Sequence, residues 1–442
     1  MNCNWPELII DELKSSEKGS IAMGPFGSRI KAENFVKSGV PVLKGGNLHG
    51  AYIDDNECDY LTEEKADELK SSNAFEGDIV ITHRGTIGQV SIIPKGATYN
   101  RYVVSQSQLK VSLDKEKVNP YYVNYFLRSR IGQHRLLSYA SQVGVPAIAK
   151  ASTSVKQIQV PCPPLAVQDE IVSFLQSLDH KLTVNNQINQ SLEEMAQAIF
   201  KSWFVDFDPV KAKMNGAQPE GMDAATASLF PEKLVESELG LIPEGWEIKP
   251  IKDLCSKVQN GGTPKRSESS YWDDGDIPWL TSGEVRQSII TSVENRITQL
   301  GLDKSSAKWV PELSTLVALY GATAGEVSLT SIPLTTNQAV CALMPKKEHQ
   351  WYNYLQLKNR VAELAGKAVG SAQQNISKGL VESTEVLSVP ESLLEAFNAQ
   401  VESFFKLRIC NLQENVELAN LRDTLLPKLL SGEIDLEMPT EN

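Results

Sequence analysis

Apolar residues come first in short runs. Over residues 20–112 the stretches 40–43, 79–82, 89–93 and 103–111 are β-rich and broken by Gly, Pro and Asn, which predicts short strands joined by tight turns. Asn119-Pro120 then predicts a helix to about Leu137, with the Asn side chain as cap and Pro in the first turn. Cys162-Pro163-Pro164 stops regular structure, and beyond Leu165 the period changes to a heptad. Its a positions hold Ile171, Leu178, Asn185, Leu192 and Ile199; its d positions hold Phe174, Lys181, Ile188, Met195 and Ser202. The mid-seam Asn185 reads either as a register-setting residue or as a polar break.

From Trp203 to about Glu238 the periodicity is lost while Pro, Gly and acid accumulate, so this segment reads as a linker. Ser237-Glu238-Leu239-Gly240-Leu241-Ile242-Pro243-Glu244-Gly245-Trp246 restarts a domain with a turn and an anchoring aromatic. A second β-rich stretch follows over about 247–390, with apolar runs on both sides of the glycines of 321–325. Past Pro390 a second heptad helix carries Phe397, Phe404, Asn411, Leu418 and Leu425 at a, and Gln400, Leu407, Glu414, Leu421 and Lys428 at d.

The plan is thus written twice. Pro164, Asn185, Leu192, Met195 and Ile199 fall 226 positions before Pro390, Asn411, Leu418, Leu421 and Leu425, a period too long for a solenoid and right for a duplicated domain. The expected fold is α/β (α+β), with two similar heads joined by two long antiparallel coiled-coil helices in pseudo-twofold symmetry. The expected boundaries are 1–164 for the first head, 165–204 for the first helix, 205–245 for a central region, 246–390 for the second head, 391–432 for the second helix and 433–442 for a tail. Ile171, Leu178, Asn185, Ile188, Leu192, Phe404, Asn411, Leu418 and Leu421 are the expected helix–helix contacts. Two separate amphipathic helices, each packed on its own head, are the alternative. A two-headed chain suits a target with two similar halves, of which duplex DNA is the commonest.

Composition changes this picture in one respect. The net charge is -12, yet residues 1–165 carry 19 basic and 17 acidic groups and residues 251–390 carry 14 of each. The excess acid sits in the helices and the linker, and a neutral head can still turn a basic face to phosphate. Two neutral heads with no polyanion partner fit the charge equally well. Cys3, Cys58, Cys162, Cys255, Cys341 and Cys410 form no Cys-x-x-Cys pair, which speaks against a zinc module and a disulfide framework. No run approaches the roughly 18 to 20 apolar residues of a membrane span, and the N-terminus lacks a signal-peptide pattern, so the expected location is cytoplasmic.

No catalytic motif is found: phosphate loop, His-Glu-x-x-His and Gly-x-Ser-x-Gly are all absent, and the five histidines lie in unrelated contexts. Asn119-Pro120-Tyr121-Tyr122 approaches the loop with which adenine methyltransferases grip a flipped base, but it lacks the second proline and an upstream cofactor loop. What is present suits positioning on a polyanion. In the first head the turn Gly24, Phe26, Gly27, Ser28, Arg29 and Lys31, the pairs Lys44 with Asn47 and Arg84 with Thr86, and Arg101 are the candidates. The second head answers with Gly262, Thr263, Lys265 and Arg266, then Ser282, Tyr320 and Thr323, and the amides Asn337, Gln338 and Gln373, a type that pairs bidentately with adenine.

Three motifs carry a family resemblance: Ala198-Ile199-Phe200-Lys201-Ser202-Trp203-Phe204-Val205-Asp206-Phe207-Asp208-Pro209, Gly240-Leu241-Ile242-Pro243-Glu244-Gly245-Trp246, and Leu425-Leu426-Pro427-Lys428-Leu429-Leu430-Ser431-Gly432-Glu433-Ile434. With them the chain resembles the specificity subunit of Type I restriction-modification enzymes over nearly its whole length. The resemblance implies that each head reads one half of a split DNA target, that the helices pair as a spacer, and that two modification (methyltransferase) subunits dock on the shared regions. It places the chemistry in partners: methyl transfer from S-adenosylmethionine to adenine, and ATP- and Mg2+-dependent cleavage by restriction subunits, with no cofactor in this chain. The opening Asn4-Trp5-Pro6-Glu7-Leu8 departs from the usual Pro-Glu-Gly-Trp start. About 32 residues of helix at roughly 1.5 Å each span about 48 Å, more than one duplex turn of roughly 34 Å. Two further readings stay open: a coiled-coil scaffold with two protein-binding heads, and a self-sufficient nucleic-acid methyltransferase.

Overall fold

The computed structural model describes residues 5–26, 29–141, 144–367 and 375–434. Contacts divide the chain into two units, residues 1–182 with 417–442 and residues 183–416. Two forty-residue helices, Leu165–Phe204 and Glu391–Leu430, each begin in one unit and end in the other.

In the first unit a four-stranded antiparallel sheet runs in the order Ile21–Met23, Gln108–Val111, Ile79–Thr82, Val90–Ile92. A five-stranded mixed sheet runs Phe35–Val36, Asp59–Leu61, Val40–Leu43, Tyr102–Val104, Asn73–Ala74, with Val40–Leu43 and Tyr102–Val104 parallel. The 103–111 run is therefore two strands of two different sheets, separated by a turn at Ser105-Gln106-Ser107. The helix expected after Asn119 is also two, Pro120–Arg128 and Arg130–Leu137, because Ser129 is extended and caps the second through Gly132 N. Gly132 fits there since a Cβ would stand 1.9 Å from the Phe126 carbonyl oxygen.

The second unit repeats this plan. Its first sheet runs Cys255–Asn260, Val340–Pro345, Thr315–Ala318, Val327–Thr330, Ile289–Ile290; its second runs Asn295–Ile297, Ile277–Leu280, Leu334–Thr336, Trp309–Val310. Ile277–Leu280 and Leu334–Thr336 are again a parallel pair. The segment read as a linker is folded: helices Asp208–Met214 and Ala224–Ser228 precede a hairpin of Leu234–Ser237 with Gly240–Pro243. Apolar content explains this, for Val210, Phe230, Ile242 and Trp246 all join the core of the second unit.

Each unit is plugged by the end of a long helix. In the second unit Phe200, Trp203 and Phe204 pack in an aromatic cluster with Phe397, Tyr352 and Trp246, ring centroids 4.9 to 6.2 Å apart for the Phe200 and Phe204 pairs. In the first unit Leu426, Leu429 and Leu430 join Ile171, Val172, Leu175, Tyr122 and Phe126. The three aromatics and the three leucines are the same repeat positions, 226 apart. Each such side chain buried removes apolar surface worth about 1.5–3 kcal/mol.

Within each unit the two long helices run antiparallel. In the second, Asn185 Nδ2 donates to Asn415 Oδ1 at 2.9 Å, Asn411 Nδ2 to Asn189 Oδ1 at 3.0 Å, and Arg408 to Glu193 at 2.6 Å. In the first, Arg422 meets Asp179 at 3.1 Å, and the Tyr125 hydroxyl donates to the same carboxylate at 2.6 Å. The series Ile171, Leu178, Asn185, Leu192 and Phe397, Phe404, Asn411, Leu418 is buried or half-buried, and of it Asn185, Asn411 and Phe397 make contacts across the pair. The second series needs correction. Ile188 is 39% exposed and Leu421 45% exposed, as are Met195 and Leu407 at 49% and 46%. The positions turned inward are one residue later: Leu175, Leu182, Asn189 and Ala196 on the first helix, Val401, Arg408, Asn415 and Arg422 on the second. Four of those eight are polar or charged, so counting apolar residues selects the neighbouring Ile and Leu instead.

Candidate nucleic-acid interface

The candidates gather where strands end. In the first head, Lys44 follows Val40–Leu43, Ser105 follows Tyr102–Val104, and Arg84 lies just past Ile79–Thr82. A polar web ties these ends together. Gln108 Nε2 donates to Thr82 Oγ1 at 3.1 Å, Thr82 Oγ1 to Gln89 Oε1 at 2.9 Å, and Gln89 Nε2 to the Gly45 carbonyl at 3.0 Å. Beside it a cavity of about 360 Å³ is bounded by Pro25, Phe35, Lys44, Ser105 and Gln106 among others.

Much of what the sequence offers as ligand-binding is spent internally. Asn47 is buried, and its amide holds the Asp54 and Glu57 carbonyls at 2.9 and 3.0 Å while its oxygen accepts from Lys44 N, so it fixes a turn. Glu284 does the same in the second head, accepting from Thr281 N and Glu294 N. Arg101 is clamped between Glu63 and Asp67, with the Asp67 hydrogen bond raising its proton affinity. Lys44 pairs with Asp59, Lys31 with Glu33 and Lys265 with Glu268. Gly24 and Gly262 are buried, and a Cβ would meet Ser105 O at 1.9 Å or Ser306 Oγ at 2.0 Å. Their smallness serves chain packing, not access of phosphate to the backbone.

In the second head Thr263 donates to the Gln338 side chain at 2.6 Å, Asn337 Oδ1 accepts from Ala339 N at 3.0 Å, Thr323 is buried and Ser282 half-buried. Arg266 stacks over Trp272 at 3.9 Å and Trp279 at 4.8 Å from the ring centroids. Phe26, Arg29, Arg84, Thr86, Arg266, Tyr320 and Gln338 remain on the surface. Arg29, Arg84 and Arg266 make no ion pair with a described residue. Gly27, Ser28 and Gln373 lie outside the described residues.

Sequence reasoning missed His83 and Leu319 as the buried residues that aim their neighbours outward. Burial lowers the His83 pKa, keeping the ring neutral beneath the strand end, where it contacts the Gln106 carbonyl at 3.2 Å. The methyltransferase-like Asn119 is fully engaged in structure: its oxygen caps Tyr121 N and Tyr122 N, and its amide donates to Asp169 at 2.7 Å. No group of three or more potential metal ligands occurs among the described residues. None of the described helices is long and apolar enough to cross a membrane. The described cysteines are all free, with Cys162, Cys255 and Cys341 buried, Cys58 half-buried and Cys410 exposed.

Comparison with known proteins converges on one family. The model for the "Type I restriction modification DNA specificity domain" matches twice, over residues 23–194 and 243–392. The HindI specificity subunit of Haemophilus influenzae is 32% identical over 64% of this chain and 70% of its own length. The MjaIX specificity subunit of Methanocaldococcus jannaschii is 24% identical over 97% of this chain and 94% of its own. The crystal structure of a Type I restriction-modification S subunit from M. genitalium superimposes with a TM-score of 0.58 over 97% of this chain and 96% of that one, at 16% identity, and so shares its fold. With the model matched in both heads and over most of its length, this chain belongs to the Type I restriction-modification DNA specificity family.

Proposed function

We propose that the chain is the non-catalytic DNA-recognition subunit of a Type I restriction-modification complex, each head reading one half of a bipartite target. The observation that carries this reading is the repetition of one strand-end architecture in both units, with different side chains displayed on it. In the first unit Ser105 N donates to Leu43 O at 3.0 Å; in the second Asn337 N donates to Leu280 O at 3.0 Å. A duplicated frame with divergent surface residues suits two half-sites of different sequence. The paired helices then set the distance between half-sites. Two modification subunits would dock on the shared helical and central regions and supply methyl transfer from S-adenosylmethionine to adenine; restriction subunits would supply ATP- and Mg2+-dependent cleavage.

Binding of the purified chain with its modification partner to duplex DNA, followed across salt concentration, separates this from a protein scaffold. Phosphate contacts make log K fall linearly with log salt, about 0.9 per phosphate neutralised. Binding that is absent or insensitive to salt would instead identify the heads as protein-binding modules.

A further inference from the structure

Arg84 and Tyr320 occupy the same place in the two heads. Each lies two residues past the end of an inner strand of its sheet, where Thr82 pairs with Gln108 and Ala318 with Val340. The next residue, His83 or Leu319, donates its N–H to Ser107 O or Ala339 O at 2.9 and 2.8 Å, and its carbonyl accepts from Ile148 N or Ile376 N at 2.8 Å in both. Then come the lone antiparallel bridges Arg84 to Ala147 and Tyr320 to Asn375. A glycine with positive φ follows each, Gly85 at 86° and Gly321 at 75°, and a second, Gly88 or Gly325, closes the loop onto Thr82 O or Ala318 O.

This frame determines where the two side chains point. His83 and Leu319 are buried, so strand alternation turns Arg84 and Tyr320 to the opposite, exposed face. Neither side chain makes a hydrogen bond or ion pair with a described residue, in heads where Lys44, Arg101 and Lys265 are all paired. The space over Gly85 and Gly321 is open, with no atom within 4 Å of a built Cβ. A backbone locked by bonds on both sides thus presents an unpaired, outward side chain at homologous points. That is the requirement for a base-reading residue, whose position must be fixed while its donors stay free.

We propose that Arg84 and Tyr320 are the equivalent base-reading residues of the two heads, Arg84 forming a bidentate contact to guanine in the half-site of the first head. This rests on the DNA-recognition reading above. The guanidinium fork matches guanine O6 and N7, whereas the single hydroxyl of Tyr320 cannot make that pair, so the equivalent base pair of the second half-site is read differently.

The test is methylation mapping of DNA from cells carrying the full complex with each variant. Arg84→Ala should relax one G·C position of one half-site, with about tenfold or greater loss of discrimination there, and leave the other half-site and the gap unchanged. Tyr320→Ala should do the converse. Arg84→Lys keeps the charge but not the fork, and should resemble Arg84→Ala in specificity. Unchanged motifs in Arg84→Ala, full rescue by Lys, or equal loss in both half-sites would each overturn the assignment. Failure of the DNA-recognition reading itself would look different, since the unmutated complex would then show no motif.

Discussion

Asn411 donates through Nδ2 to Asn189 Oδ1 at 3.0 Å, and the repeat-related bond, Asn185 Nδ2 to Asn415 Oδ1 at 2.9 Å, lies one turn along the same helix pair. Shifting Asn185 and Asn189 by 226 positions gives Asn411 and Asn415, so the two bonds are one bond written twice. Arg408, 2% exposed and paired with Glu193, continues this polar seam. Asn411→Leu should cost about 1–3 kcal/mol by leaving Asn189 without its donor. Replacing all four asparagines by Leu should raise the urea midpoint while blurring the register, read as a mixture of half-site spacings. A four-fold Leu variant less stable than the parent would show that the layer stabilises the pair and does not merely specify it.

The surface cations divide by what they already touch. Arg29→Ala should weaken duplex binding and lower the salt slope by about 0.9 for each phosphate no longer neutralised, whereas Arg84→Ala should weaken binding to the recognised sequence without that loss of slope. Arg101→Ala and Lys265→Ala should change binding little, because each of those cations faces its own carboxylate. Equal weakening across all four variants, in binding measured at several salt concentrations, would contradict this division.

The two helix ends are predicted to be equivalent in packing but separate in effect. Phe200→Ala should destabilise the second unit by about 3–5 kcal/mol and Leu426→Ala the first by about 2–5 kcal/mol. Hydrogen exchange checks this, with protection lost in the unit whose core each residue fills. Loss spread evenly over the chain in either variant would argue against two cores.

His83 gives the first head a pH dependence. Burial lowers its pKa below the ordinary 6.5, so the unfolded chain binds the proton more readily. The contribution is therefore fully present above 6.5 and is lost as pH falls through the lowered folded value. His83→Gln should flatten that part of the stability curve, as followed by thermal melts between neutral and mildly acidic pH.

Much of this was legible in the sequence, for definite reasons. The repeat, the first seam series and the three family motifs depend on apolar spacing and on glycine, proline and aromatic residues, which burial makes hard to disguise. The motif aromatics Phe200, Trp203 and Phe204 are core residues of one unit. The polar second seam was hidden because Asn189, Arg408, Asn415 and Arg422 find partners in Asn411, Glu193, Asn185 and Asp179, which only folding brings across the helix pair. The candidate site failed in the same way. Asn47, Arg101 and Lys44 look like ligand-binding groups until Asp54, Glu63, Asp67 and Asp59 are brought to them by folding. Arg84 and Tyr320 share no residue type; the glycines that follow them are visible in the sequence, but it is the matching backbone bonds that make the two side chains equivalent.

The helix pair as a ruler yields a length prediction. Inserting seven residues into both long helices at the same level of the seam should lengthen each by about 10 Å, or about three base pairs of duplex. An unchanged gap in the recognised sequence would remove the ruler from the account.

The central claim, that two heads on paired helices read a split target, is tested most directly by mapping methylated adenines in DNA from cells expressing the unmutated chain with its modification partner. The account predicts two short specific sequences separated by a gap of fixed length and no sequence preference. A single contiguous motif, or methylation without any motif, would contradict it.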